Sequence, residues 1–252
     1  LQRHQERKET ILEVLQQSIA YYTSIEEHET AKNLQNQQES LRNNEFSIVV
    51  IGEFSAGKST FLNALMGERY LPSFSSEATA TINYLQHVSA AETDQHLKVV
   101  YKDPQLPVEY GDVTKEEIER FVSTKSDKHV AAEMDHVTLY LDSPFLEQGV
   151  RLVDSPGLNG IAEGHAEVTE NQVEKSHACI YMFSANRPGS RTDFDTLAQL
   201  NEKFDTIFLI LNQADRINPT EETVEEVIDK LKANYAKQFP NQSLPVFYPL
   251  SS

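Results

Sequence analysis

One stretch of the sequence has the residue types and spacing of a phosphate-binding loop: Gly52-Glu53-Phe54-Ser55-Ala56-Gly57-Lys58-Ser59-Thr60. Gly52 and Gly57 permit backbone angles that turn successive N–H groups toward one concavity, where they bind phosphate oxygens. The Lys58 ammonium would reach the β- and γ-phosphates, and the Ser59 hydroxyl is suited to Mg²⁺. All residues from 52 to 60 are therefore predicted to bind a nucleotide.

The segments on either side of this loop are those that a phosphate-binding loop needs. Residues 46–51 read Phe-Ser-Ile-Val-Val-Ile, an apolar and β-branched run typical of a strand that is buried on both faces. Residues 61–65 have a helical pattern, so the next helix presents its positive dipole end to the phosphates. This strand–loop–helix setting favours a nucleotide site over a chance match of the motif.

An acidic residue for the metal is predicted at the end of another strand. Asp154 follows the apolar run 150–153, and its carboxylate would hold Mg²⁺ directly or through water. Gly157 would let a backbone N–H approach the γ-phosphate, so that residues 158–168 act as a switch that senses this phosphate. An Asp at a strand end is also a common turn former, and it is the phosphate-binding loop that favours the metal-binding interpretation.

A second motif, Asn212-Gln213-Ala214-Asp215, follows the apolar run 207–211 and is similar to the N/T-K-x-D guanine reader of GTPases. A buried carboxylate at Asp215 would accept the N1–H and N2 hydrogens of guanine, a donor pair that adenine lacks. Gln213 replaces the usual Lys, so we expect guanine preference to rest mainly on Asp215 and the affinity to be modest. The alternative is an ordinary turn. The predicted base-side residues are Asn212, Gln213, Asp215, Arg216 and, after the last strand, Ser251.

The alternation of apolar runs with helical patterns predicts an α/β fold. Further strands are expected at 99–101, 137–141, 150–153, 179–183 and 207–211, and helices after Thr114, at 193–200 and at 219–238. Such alternation implies a P-loop domain with a mainly parallel, doubly wound sheet over residues 46–252. Residues 1–45 predict one long helix or two, either packed on their own domain or part of a stalk or neck.

Composition and charge restrict the partners. The net charge of −17 argues against a nucleic-acid or anionic-membrane surface, since such surfaces concentrate Lys and Arg. Cys179 lies in an apolar run and is expected to be a buried thiol. With no apolar run of membrane-spanning length and no signal peptide, the sequence favours a cytoplasmic protein. We interpret it as a piece of a longer protein, cut short at its C-terminal end, in which another segment would contact lipid.

Together these motifs resemble those of the dynamin superfamily, especially its bacterial dynamin-like and mitofusin-like members. The resemblance covers residues 46–252 and rests on the loop at 52–60, a threonine region at 71–81, Asp154-Ser155-Pro156-Gly157-Leu158-Asn159, and the motif at 212–215. It implies a GTPase domain, preceded by a helical stalk or neck, that dimerises across bound nucleotide. It also implies a protein that remodels or tethers membranes.

The resemblance also implies roles for single residues. Thr79 would be the switch threonine, which binds Mg²⁺ or positions the attacking water, and Thr81 is the competing choice. Ser55 would help to hold a monovalent cation, K⁺ or Na⁺, or a bridging phosphate oxygen. The implied catalytic set is Ser55, Lys58, Thr79 and Gly157, and the implied metal ligands are Ser59, Thr79 and Asp154.

One residue departs from the pattern of eukaryotic dynamins, which have a catalytic glutamine where this chain has Phe54. A phenyl ring cannot orient water by hydrogen bonding, so we expect slow basal turnover that rises on dimerisation. Arg187 and Arg191 are the nearest candidates for an arginine finger, and a solvated loop is the alternative for both. Two other functions stay open: a regulatory GTPase of another class, which the negative charge disfavours, and a GTP-binding scaffold with negligible hydrolysis.

Overall fold

The computed structural model describes residues 2–42, 46–53, 55–71, 82–122, 133–155 and 173–251. Within these residues nine strands form one sheet in the order β4-β3-β5-β2-β6-β1-β7-β8-β9. The strands are β1 (Phe46–Gly52), β2 (Ile82–His87), β3 (Leu97–Tyr101), β4 (Glu109–Gly111), β5 (Met134–Leu141), β6 (Val150–Asp154), β7 (Ala178–Ser184), β8 (Ile207–Asn212) and β9 (Phe247–Pro249).

The sheet is mainly parallel, as the sequence predicts. Strand β1 runs parallel to β6 on one side and β7 on the other, and the parallel pairing continues through β8 to β9. Strand β2 is antiparallel to β6 but parallel to β5, while β3 is antiparallel to both β5 and β4. The carboxyl ends of β1, β6, β7 and β8 therefore lie at the same edge of the sheet.

Helices cover both faces, which makes the sheet doubly wound. On one face, α3 (Lys58–Met66) and α4 (Lys115–Val122) pack against Val50 and its neighbours. On the other, α5 (Arg191–Lys203) and α6 (Val224–Gln238) pack against Val49 and Ile51. Side chains that alternate along β1 thus enter two cores, which explains its continuous apolar run. Cys179, on β7, is buried in the second core as expected.

The structure corrects the predicted start of the last helix. The acids after Pro219 suggest that the helix opens there, but α6 begins at Val224. Thr223 caps this helix, accepting a hydrogen bond from the N–H of Glu226, whose carboxylate in turn binds the Thr223 N–H. This reciprocal capping box, rather than the earlier acidic pair, fixes the first turn.

Two helices, α1 (Gln2–Ser24) and α2 (His28–Arg42), form an antiparallel hairpin before the sheet. Glu26, with φ of 64°, makes the turn between them. Lys8 donates to the carbonyl of Arg42, and Gln38 donates to Gln16, so hydrogen bonds join the two helices in the half of the hairpin that lies away from the turn. Among the described helices none combines the length and apolarity needed to cross a membrane.

Candidate nucleotide-binding site

The backbone of the phosphate-binding loop forms where β1 ends. A Cβ on Gly52 would lie 2.5 Å from the carbonyl oxygen of Met182, so only glycine allows β1 and β7 to approach this closely. Ser55 and Gly57 follow with φ of 67° and 86°, both in the left-handed region. Between them Ala56 is fully buried. Alternation of left-handed residues in a tight loop turns N–H groups inward, and this is the geometry of an anion-binding nest.

The Lys58 side chain lies inside this loop. It is 8% exposed, and its Nζ donates to the carbonyls of Gly52 and Glu53 at 3.1 and 3.3 Å. Burial lowers the pKa of Lys58, and the nearby Asp154 carboxylate opposes that shift. The ammonium group is therefore held close to the concavity that the loop N–H groups line.

Ser59 and Asp154 meet beside the loop and form the candidate metal site. Ser59 Oγ donates to Asp154 Oδ2 at 3.0 Å. Asp154 is fully buried, and burial raises its pKa to about 6, with the Lys58 ammonium and the Ser59 hydroxyl opposing the shift. Within the described residues no donor lies in hydrogen-bonding geometry with Oδ1. An oxygen-only donor set with one unsatisfied carboxylate oxygen fits Mg²⁺, a hard cation that prefers oxygen ligands.

The motif at 212–215 contacts the phosphate-binding loop directly. Asn212 is fully buried, and its Nδ2 donates to the carbonyl of Ala56 at 2.9 Å. A Cβ on Gly57 would lie 2.4 Å from the same Nδ2, so this contact requires glycine at 57. Gln213 Nε2 donates to the carbonyl of Ser55 at 3.1 Å. Both side chains therefore hold the phosphate-binding loop, and their predicted role in nucleotide binding stays a prediction.

Asp215, the predicted guanine-contacting residue, lies beyond these contacts. Asp215 is exposed, on the single turn of 3₁₀ helix Ala214–Arg216 that follows β8, and its contact with guanine stays a prediction. Its backbone N–H donates to Ser251 Oγ at 3.2 Å, and the N–H of Ala214 donates to the carbonyl of Leu250. The serine-containing segment after β9 is thus next to the guanine motif. Arg216 is exposed in the same turn.

A third segment borders the loop, and sequence reasoning missed most of its role. Ser190 Oγ donates to Glu53 Oε1 at 2.7 Å and also caps α5 by accepting from the N–H of Asp193. Buried Asp193 accepts from the hydroxyl of Tyr181 at 2.7 Å. The capping box Ser190-Arg191-Thr192-Asp193 could have been recognised in the sequence. The contact with Glu53 could not, because it depends on β1 and β7 being neighbours.

Other predicted residues lie beside this site or outside the described part of the chain. Arg187 is exposed on the segment between β7 and α5, and Arg191 forms an exposed ion pair with Asp195 at 3.6 Å. Thr60 lies in the first turn of α3. The predicted roles of Phe54, Thr79, Thr81 and Gly157 fall outside the described residues and stay predictions.

Together, the doubly wound sheet, the nest at its edge and the Lys58, Ser59 and Asp154 side chains define a P-loop nucleotide-binding domain. Residues 48–215 match the family model of the Dynamin family. The chain therefore belongs to the dynamin family.

Individual relatives agree with this assignment. The probable transmembrane GTPase FZO-like, chloroplastic, of Arabidopsis thaliana is 28% identical over 207 residues, which cover 82% of this chain and 19% of that protein. The bacterial dynamin-like protein of Nostoc punctiforme is 27% identical over 190 residues, 71% of this chain and 26% of that protein. The chain spans about half or less of the length of these and other curated relatives.

Solved structures show the same fold. A member of an oligomerised bacterial dynamin pair, described as a mechanism for the long-range sensing and tethering of membranes, superposes with a TM-score of 0.65. The match has 19% sequence identity and covers 98% of this chain and 38% of that one. It extends over the helical hairpin as well as the sheet.

Proposed function

We propose that this chain is the GTP-binding and GTP-hydrolysing domain of a dynamin-like protein that tethers or remodels membranes. One observation carries the proposal: the Asn212 side chain holds the phosphate-binding loop at Ala56, beside the buried Lys58 and the Ser59–Asp154 pair. Groups suited to phosphate, to metal and to a base are thereby fixed at one edge of the sheet. Ligands of α/β sheets bind at this edge.

Hydrolysis in this site would depend on positioning and on charge neutralisation. In-line attack of water on the γ-phosphate needs little covalent help from the protein. The Lys58 ammonium would neutralise charge on the β- and γ-phosphates, and the Gly157 N–H would contact the γ-phosphate. Ser59 and Thr79 would hold Mg²⁺, which supplies further charge neutralisation when bound, with Asp154 beside them. Ser55 would help to hold K⁺ or Na⁺.

Guanine would be selected by Asp215 near the edge of the site. Its exposed carboxylate can accept two hydrogen bonds from guanine and would become buried against the edge of the base. Arg216 and Ser251 border the same position. Because Gln213 contacts the phosphate-binding loop, base selection would rest on the Asp215 carboxylate.

We propose that the active form is a nucleotide-dependent dimer formed through this domain, cytoplasmic and peripheral at a membrane. Segments beyond this chain would provide the lipid contact, and the charge of −17 disfavours nucleic acid as a partner. The hairpin of α1 and α2 would belong to a stalk or neck. Four apolar side chains on α1 and its end support this role, since they are between 47% and 60% exposed at helical spacing: Ile11, Val14, Tyr21 and Ile25.

The proposal is tested by timed phosphate release from GTP at a series of protein concentrations, with ATP as the competing substrate. A rate per molecule that climbs with concentration, needs Mg²⁺ and is lost in Lys58→Ala is the expected result. Repeating the assay in K⁺ and in Na⁺ tests the monovalent cation. Tight GTP binding without phosphate release at any concentration would instead favour the scaffold function that Phe54 suggests.

A further inference from the structure

The Gln213 side chain uses both ends of its amide, and each end contacts a different part of the chain. Its Oε1 accepts from Ser184 Oγ at 2.8 Å and from Asn186 Nδ2 at 3.0 Å. Its Nε2 donates to the carbonyl of Ser55 at 3.1 Å. One neutral amide therefore joins the end of β7, the guanine motif and the phosphate-binding loop.

The two residues joined by this last bond share an uncommon backbone conformation. Ser55 has φ of 67° and Gln213 has φ of 63°, both in the left-handed region. Residues other than glycine rarely adopt positive φ, and they keep it only where surrounding contacts impose it. The bond between Gln213 and the Ser55 carbonyl is such a contact, and it acts on the loop next to buried Ala56.

We propose that Gln213 is a positioning residue through which Asn186 controls the conformation of Ser55 and hence the affinity for guanine nucleotides. Asn186 is exposed and lies outside both nucleotide-binding motifs. The Lys that is usual at this position in GTPases can donate to a carbonyl but cannot accept, so the acceptor for Asn186 is particular to Gln213. The inference rests on the proposed function, because nucleotide binding is its readout.

A double-mutant cycle tests the coupling. Calorimetry with GDP and Mg²⁺ compares the wild type with Asn186→Ala, Gln213→Met and the double variant. Methionine is neutral and similar in shape to glutamine but lacks the amide. We expect Asn186→Ala to weaken binding by about twofold to tenfold, the value of one net hydrogen bond, and Gln213→Met, which removes three such bonds, to weaken it at least as much. The double variant should bind no more weakly than Gln213→Met, because Asn186 acts through Gln213.

Two controls separate this effect from a general loss of structure. Asn234→Ala removes another exposed asparagine, on α6, and should leave the affinity unchanged. Thermal unfolding without nucleotide should give similar midpoints for wild type and Asn186→Ala, since Asn186 is exposed. A lowered midpoint that parallels the loss of affinity would mean that Asn186 supports the fold rather than the site, and would overturn the inference.

The remaining outcomes are also decisive. Losses that add in the double variant, or an Asn186→Ala variant that binds GDP as the wild type does, would overturn the coupling while the proposed function stands. A wild-type chain that binds neither GDP nor GTP would overturn the proposed function, and the inference with it.

Discussion

Replacing Asn212 with Ala should destabilise the domain even without nucleotide, although its sequence position suggests a base-binding residue. Asn212 is fully buried, and its Nδ2 donates at 2.9 Å to the carbonyl of Ala56, itself fully buried. Water cannot readily replace a donor at this depth, so the unpaired carbonyl costs about 1–3 kcal/mol. For a domain of this size each kcal/mol lowers the midpoint by about 2–4 °C, which gives a total of about 2–12 °C.

Thermal unfolding of the nucleotide-free protein, followed by circular dichroism, measures this effect. Asp215→Ala is the matched control from the same motif, because Asp215 is exposed and contacts Ser251 through its backbone. We expect it to keep the wild-type midpoint and to lose the preference for GTP over ATP. If Asn212→Ala kept the wild-type midpoint and lost only nucleotide affinity, Asn212 would act on the ligand, and our reasoning would be wrong.

Two further predictions concern helix capping and pH. Ser190→Ala and Thr223→Ala each remove an N-cap side chain, which should lower the free energy of unfolding by about 1 kcal/mol. Ser190 also donates a hydrogen bond to Glu53. In GDP titrations only Ser190→Ala should weaken binding, and equal affinities would refute a role for the Glu53 contact. Burial lowers the pKa of His136, despite its bond to Asp135, so the folded state disfavours the protonated ring. Stability from this group is therefore present at neutral pH and lost as the pH falls through about 6.5, the usual unfolded-state value. Denaturant unfolding of His136→Gln at pH 7.5 and 5.5 should show a smaller pH difference than the wild type, and an equal difference would contradict the assignment.

The phosphate-binding segment was predictable because its determinants are local. An apolar strand, a glycine-rich loop and a helix follow one another within residues 46–66, and β1 and α3 occur where the pattern puts them. Asp154 likewise ends a strand, β6, that the apolar run at 150–153 indicates. The parallel pairing of β1 with β6 then brings Asp154 next to Ser59, which the spacing of the motifs implies but does not specify.

The contacts that hold the loop were not predictable, because they join residues that are far apart in sequence. Glu53 and Ser190 are separated by 137 positions, and Gln213 and Ser55 by 158. Such contacts follow from the strand order, which the alternation of apolar runs leaves undetermined. The exposure of Asp215 was likewise not specified by the sequence, because a motif indicates a ligand contact but not whether other residues of the chain cover the side chain.

The geometry joins the proposed phosphate-binding and base-recognition segments into one mechanical unit. Asn212 and Gln213 reach from the end of β8 to consecutive carbonyls of the phosphate-binding loop, Ala56 and Ser55. Asp215, whose carboxylate is the predicted guanine contact, follows two residues after Gln213. A displacement of this motif toward or away from a base must therefore move the loop carbonyls, and with them the N–H groups that line the nest. Because both amide side chains are neutral, this coupling depends on hydrogen-bond geometry rather than on charge, so it should be little affected by ionic strength.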